Sequence, residues 1–277
     1  MVRIKFFSDV HEDVNGSVLA RNFQGCAADW DVALIAGDIA GSISATERFL
    51  DKYMKGKTVY FVNGNHQVYN KENKTIQQIT KEYREKFPLG SGNWHYLEND
   101  YAQIDSHVYV IGAVFYTDYM IGGKKLQKKH MINGFFGLND FRMGSYDVKG
   151  ERVELKPEHY LEMHKKSKKE IKRLHDEIVA KDPDAKIILM THHCLSLKCV
   201  ARRWETSSLN ASYASKLERW VINDLPNVVI VNSGHVHDCA DFEFGRKRRV
   251  RYIINPVGYC AYYEDCDYNK EKILEIK

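Results

Sequence analysis

None of the six cysteines in this 277-residue chain (Cys26, Cys194, Cys199, Cys239, Cys260, Cys266) stands at C-x-x-C spacing to another, which removes the usual signatures of zinc knuckles and thiol redox pairs. A chain of this length needs no disulfide staple, so reduced thiols in a cytoplasm are expected. Also lacking is any run of about 18 uncharged apolar residues, and Ser8-Asp9 arrive before an apolar leader could build up. A soluble protein with no membrane partner and no secretory signal is the expectation. A large excess of either charge is lacking too. A formal net charge of +4 and a pI near 8.5 permit anionic substrates but fall far short of a dedicated nucleic-acid binder. With no internal repeat, no low-complexity linker and 44% hydrophobic content, residues 1–277 are expected to form a single domain with a substantial core.

What is present is a rhythm. Short apolar runs rich in Val, Ile, Phe and Tyr fall at 2–7, 32–36, 58–62, 108–115, 186–190, 228–231 and 250–254. Between them lie segments of 3.6-residue apolar spacing at 44–54, 74–87, 157–180 and 211–221, with Pro157 placed as a first helical residue. Strands alternating with helices predict an α/β fold. The segment 116–156 breaks the rhythm, mixing Gly, Lys and aromatics without sustained periodicity, and is expected to form a cap or insertion. On the helix that follows, six cations interleave with acids and predict a solvated face.

The runs end on chemistry. The first stops at Asp9-Val10-His11, the second at Gly37-Asp38, the third at Gly64-Asn65-His66, the fifth at Thr191-His192-His193 and the sixth at Gly234-His235-Val236-His237. Each piece alone has a plain reading, because Gly, Asn and Asp favour turns for backbone reasons. Five of them in series, each after an apolar run, point to a site outside the carboxyl ends of strands, where open α/β sheets gather ligands. A two-metal centre needs a bridging carboxylate with further ligands on either side. Asp38 is the natural bridge, with Asp9, His11 and His237 on one ion and Asn65, His192 and His235 on the other. This oxygen and imidazole set suits Mn, Fe, Zn, Co or Ni better than Ca and does not choose among the five; Mn is the expectation.

In the order D-x-H, G-D, G-N-H, H, G-H-x-H these motifs resemble the calcineurin-like metallophosphoesterases over essentially the whole chain. The resemblance implies two packed mixed β-sheets flanked by helices, a four-layer sandwich. It also implies metal ligation by Asp9, His11, Asp38, Asn65, His192, His235 and His237, with His66 as a catalytic residue beside the metals. Gly137-Leu138-Asn139-Asp140-Phe141-Arg142, followed by a helix bearing His164 and Ser167, looks like a bacterial or phage-type branch. Two departures stand out. The second block, Gly37-Asp38-Ile39-Ala40-Gly41-Ser42, lacks the phosphate-gripping arginine of the Gly-Asp-x-x-x-Arg-Gly form, and Gln67 stands where Glu or Asp is common.

The expected reaction is in-line attack on phosphorus by a hydroxide bridging the two ions, since metals bring the pKa of bound water toward neutrality. His66 would assist the leaving group. A phosphodiester is the expected substrate class. The alternatives are a phosphomonoester, a DNA- or RNA-directed nuclease and, outside enzymes, a catalytically silent scaffold. Asn139 and Arg142 from the insertion are candidate phosphate contacts, and His193 either contacts substrate or exchanges roles with His192. Tyr259, Tyr262 and Tyr263 offer surfaces for stacking a base. Arg246-Lys247-Arg248-Arg249, lying between two strand-like runs, reads as a hairpin turn.

Overall fold

A computed structural model describes residues 1–23, 29–69 and 73–276. Its strands are β1 (Val2–Phe7), β2 (Val32–Ala36), β3 (Thr58–Val62), β4 (Trp94–Tyr96), β5 (Asp100–Asp105), β6 (Val108–Ala113), β7 (Ser145–Val148), β8 (Glu151–Glu154), β9 (Lys186–Thr191), β10 (Val228–Ser233), β11 (Ala240–Phe244), β12 (Val250–Ile254) and β13 (Ile273–Ile276). One sheet has the order β13-β1-β2-β3-β4 and a second the order β11-β12-β10-β9-β6-β5, while β7 and β8 form a separate hairpin. Both large sheets are mixed. The central strands β1, β2, β3 and β6, β9, β10, β12 run parallel, and β13, β5 and β11 are antiparallel edges.

Strands buried on both faces read as continuous apolar runs. Every residue of β2 and of β6 is buried, which is why both runs were legible in the sequence. Ile4, Phe6, Leu34 and Val62 from one sheet meet Val110, Ile188, Met190 and Ile253 from the other and make the inner layer of the core. Outside the first sheet, Phe49 and Leu50 of the helix Ile43–Tyr53 and Ile79 and Tyr83 of the helix Ile76–Lys86 cover Phe7, Ile35 and Phe61. Outside the second, Ile171, Leu174 and Ile178 of the helix Pro157–Lys181 cover Ile111, Ile187 and Leu189. The sheets thus lie between helices, and both direct their parallel strands' carboxyl ends to one rim. No helix is long and apolar enough among the described residues to cross a membrane. Cys26 lies outside the described residues, and the five described cysteines are free.

Besides strands β4, β11 and β13, which lie outside the apolar runs, three departures from the sequence pattern stand out. The single helix expected at 211–221 is two, Asn210–Tyr213 and Glu218–Asp224, because the backbone between them pairs with the chain after β9: Ser215 N donates to Cys194 O at 2.9 Å and Leu217 N to Leu195 O at 3.0 Å. The edge strand β5 carries no apolar run, and only edges tolerate such polar sequence. Finally, 116–156 is ordered structure: a helix Lys124–Gly137, a single turn Asp140–Met143 and the β7–β8 hairpin, packed around Tyr116, Tyr119, Leu138, Phe141, Leu155 and Tyr160. The helix escaped detection because its apolar residues do not share a face; Leu126, Ile132 and Phe136 are exposed. The basic stretch 246–249 is the turn of the antiparallel β11–β12 hairpin.

Candidate metal centre

The candidate ligands sit just past the strands' carboxyl ends, and five of them stand on backbone that regular structure does not use. Asp9, His11, Asp38, His235 and His237 all have φ between 45° and 71°, the left-handed region that costs a residue with a Cβ of order 1 kcal/mol or more. Concentrating such conformations at one rim aims the side chains inward. Gly64 has a different reason for being glycine: a Cβ there would lie 2.1 Å from Asp38 Oδ1 and 2.7 Å from His192 Nε2.

Among the described residues four groups of ligand atoms result, the atoms of each within 4.8 Å of one another. Asp9, His11 and His237 form one main cluster and Asp38, His192 and His235 the other, while His66 approaches His11 and Asp38, and Glu264 and Cys266 approach His237. Within the first, His237 Nε2 lies 3.5 Å from Asp9 Oδ1 and 3.1 Å from His11 Nε2. Within the second, His192 Nε2 lies 3.3 Å from Asp38 Oδ2 and 3.1 Å from Asn65 Oδ1. His66 joins neither. Its Nε2 is 3.9 Å from Asp38 Oδ2 and 3.0 Å from Tyr259 Oη, and its backbone N–H donates to Asp38 Oδ1 at 3.0 Å.

Outer contacts fix several rings. His192 Nδ1 donates to Ala36 O at 2.9 Å, which leaves Nε2 as the inward lone pair. His237 Nδ1 pairs with Glu264 Oε2 at 2.9 Å to the same effect. Ser8 Oγ and the His235 backbone N–H donate to Asp9. Burial pushes the carboxyl of Asp38 up, yet His192, His66 and His11 hold it well below the ordinary carboxylate range. Burial drives the His11 imidazole down to about 3 and that of His235 well below its usual value. Burial lowers the other two as well, but the carboxylates outweigh it, Asp38 lifting His192 to about 9 and Asp9 and Glu264 lifting His237 to about 10, so these two imidazoles give up a proton when they bind a cation.

This donor set fits a pair of divalent ions. His11 Nδ1 and His235 Nε2 are buried without a hydrogen-bond partner, and two imidazole Nε2 atoms converge at His11 and His237. Buried nitrogen, carboxylate and amide oxygen in these clusters match borderline metals.

The centre opens into a cleft of about 450 Å³. Leu138, Asn139 and Asp140 of the 116–156 segment form one wall, Trp204, Leu209 and Tyr213 another, and His66 and Tyr259 lie beside the clusters. Of the candidate phosphate contacts, Asn139 lines the cleft. Arg142 does not: it is exposed, and its guanidinium donates to Asn139 Oδ1 at 3.0 Å and to Phe136 O at 2.7 Å, capping the end of the preceding helix. His193 is buried behind the centre, 4.4 Å ring to ring from His235, and is absent from the cleft lining. Sequence reasoning missed two functional neighbours, Glu264 and Asp140, and gave Tyr259 as a stacking surface rather than as a partner of His66. Glu264 comes from an irregular segment with no periodic signal. Asp140 stood inside the stretch singled out, between the two residues chosen from it.

No curated protein sequence matches the chain. Among solved structures it is similar to phosphopantetheinyl hydrolase from Mycobacterium tuberculosis, at 16% identity and TM-score 0.64 over 94% of this chain and 90% of that one. It is also similar to a dimetal phosphatase from Danio rerio, at 14% identity and TM-score 0.53 over 93% and 88% of the two chains. At such identity these likenesses speak to the fold alone. A family model described as calcineurin-like phosphoesterase matches residues 2–239, the stretch that contains both clusters, and the chain therefore belongs to the calcineurin-like phosphoesterases, enzymes with a dimetal site.

Proposed function

We propose that this phosphoesterase cleaves phosphodiesters. The observation that carries the reading is the charge of the cleft: none of the described residues lining it is a lysine or an arginine. A dianionic monoester would have only the centre to meet its second charge, whereas a diester brings one charge and a second ester arm. Trp204, Leu209, Tyr213 and Leu138 give that arm apolar and aromatic walls.

In this reading Asp9, His11 and His237 would hold one ion and Asn65, His192 and His235 the other, with Asp38 placed to serve both; Mn, Fe, Zn, Co and Ni all suit the set. The ions, when bound, supply Lewis acidity, neutralising phosphoryl charge and acidifying water. Asp9 and Asp38 keep the site anionic, and the carboxylate of Glu264 orients His237. His66, beside the ligands at the cleft, delivers a proton to the leaving alkoxide, and Tyr259 Oη holds its Nε2 in place. A nucleic-acid substrate finds less support. In the basic hairpin turn, Arg248 donates to the carbonyls of Val221, Ile222 and Val228, and Arg249 pairs with Glu243.

The test is initial rates on bis(p-nitrophenyl) phosphate and p-nitrophenyl phosphate, with protein loaded in turn with Mn, Ni, Co, Fe and Zn. A diester preference that vanishes in His66→Ala is expected. Monoester preference would make the protein a phosphatase instead.

A further inference from the structure

Asp140 is a buried carboxylate with 0% exposure and no lysine or arginine paired with it among the described residues, 75 residues from Asn65 in sequence. Three side-chain donors converge on it. Asn65 Nδ2 reaches Oδ1 at 3.0 Å, Tyr69 Oη reaches the same oxygen at 2.5 Å, and Tyr160 Oη reaches Oδ2 at 2.9 Å. The second hydrogen of the Asn65 amide goes to Tyr69 Oη at 3.1 Å. An ionised carboxylate only accepts, and an amide presents nitrogen on one side and oxygen on the other. With both hydrogens drawn toward Asp140 and Tyr69, Oδ1 must face the opposite way, where it lies 3.1 Å from His192 Nε2 in the second cluster.

We infer that Asp140 is a positioning residue that fixes the orientation of the Asn65 amide, so that oxygen rather than nitrogen is offered to the second ion. A reversed amide would present N–H groups to a cation and abolish that ligand. The insertion is thereby part of the centre: Asp140 opens the short turn after the helix Lys124–Gly137, and Tyr160 belongs to the following long helix. The role differs from ligation, because Asp140 touches Asn65 and not the ligand atoms of the clusters. It rests on the proposed reading that Asn65 serves the second ion.

The experiment is titration of the metal-free full chain with Mn²⁺ alone, counting free Mn²⁺ by electron paramagnetic resonance, for wild type, Asp140→Ala, Asp140→Asn and the exchanged pair Asn65→Asp with Asp140→Asn. Two ions on wild type establish the starting reading, and fewer than two would sink that reading before the inference is reached. Asp140→Ala is expected to weaken one ion about ten- to a hundredfold and leave the other unchanged, as loss of a partner behind a ligand typically does. Asp140→Asn, whose amide oxygen can still accept from Asn65, should stay close to wild type, and the exchanged pair should rebuild the donor–acceptor contact with its polarity reversed. If Asp140→Ala binds both ions like wild type, or Asp140→Asn is as weak as Asp140→Ala, the positioning role is wrong. Should Asp140→Ala not fold, the comparison of Asp140→Asn with the exchanged pair decides, since loss of the second ion in both defeats the inference.

Discussion

One methyl group separates this centre from a disabled one. At Gly64 a Cβ would collide with Asp38 Oδ1 and His192 Nε2, two side chains of the second cluster that have no slack. Gly64→Ala should therefore lose metal without losing the fold, and elemental analysis of the purified protein alongside a thermal melt checks this. Unchanged metal content would mean that the loop yields. His66 makes the opposite prediction. It stands outside both ligand clusters, so His66→Ala should retain metal while turnover falls by about 10² to 10⁴, the range for a lost general acid. Parallel loss of metal and rate would make His66 a ligand. At this scale the sequence was most legible, since Gly37-Asp38, Gly64-Asn65-His66 and Gly234-His235-Val236-His237 each carry both the turn and a side chain that the structure brings to the rim. Glu264 was not, because a carboxylate in an irregular segment 27 residues from His237 leaves no periodic trace.

Elements hold these residues at the rim, and their ends are set by short local contacts. The helix Ile76–Lys86 begins with a capping box: Gln78 N donates to Thr75 Oγ1 at 3.3 Å, and Thr75 N donates to Gln78 Oε1 at 2.9 Å. Thr75 is buried, so Thr75→Ala strips an acceptor from a site where water has little access. A loss of about 1 kcal/mol is expected, read from the urea midpoint at constant slope. No loss would mean that Gln78 alone closes the first turn. Elements with such signals were visible in the sequence to within a residue or two, Pro157–Lys181 most plainly. The helix Lys124–Gly137 was not, because exposed Leu126, Ile132 and Phe136 share it with buried Gln127 and Gly134, and no apolar stripe forms. That same blindness led from Asp140 to its exposed neighbour Arg142.

In the whole molecule, the parallel strands of both sheets send their carboxyl ends to one rim, so five motifs scattered over 230 residues of sequence meet in a single cleft. Burial there has an electrostatic side that reaches beyond the metal ligands. Glu98 is half-buried just after β4, accepting from Val114 N at 2.9 Å and from Asn99 Nδ2 at 2.9 Å. Burial pushes its carboxyl up to about 7, although the Val114 hydrogen bond and Arg84 pull the other way. In the unfolded chain the same group titrates near 4.3. The folded state therefore holds the proton more tightly, and the stability this contributes is complete below about pH 4.3 and fades as pH rises to about 7. Glu98→Gln removes the ionisation. The new amide can still accept from Val114 N, and a half-turn of the Asn99 side chain would offer it Oδ1, which has no partner in the native structure. Melting temperatures of variant and wild type, measured from pH 5 to 8, should diverge in the variant's favour as pH rises. A difference that is flat, or that shrinks with pH, would show that Glu98 stays ionised in the fold and that its two donors outweigh its burial.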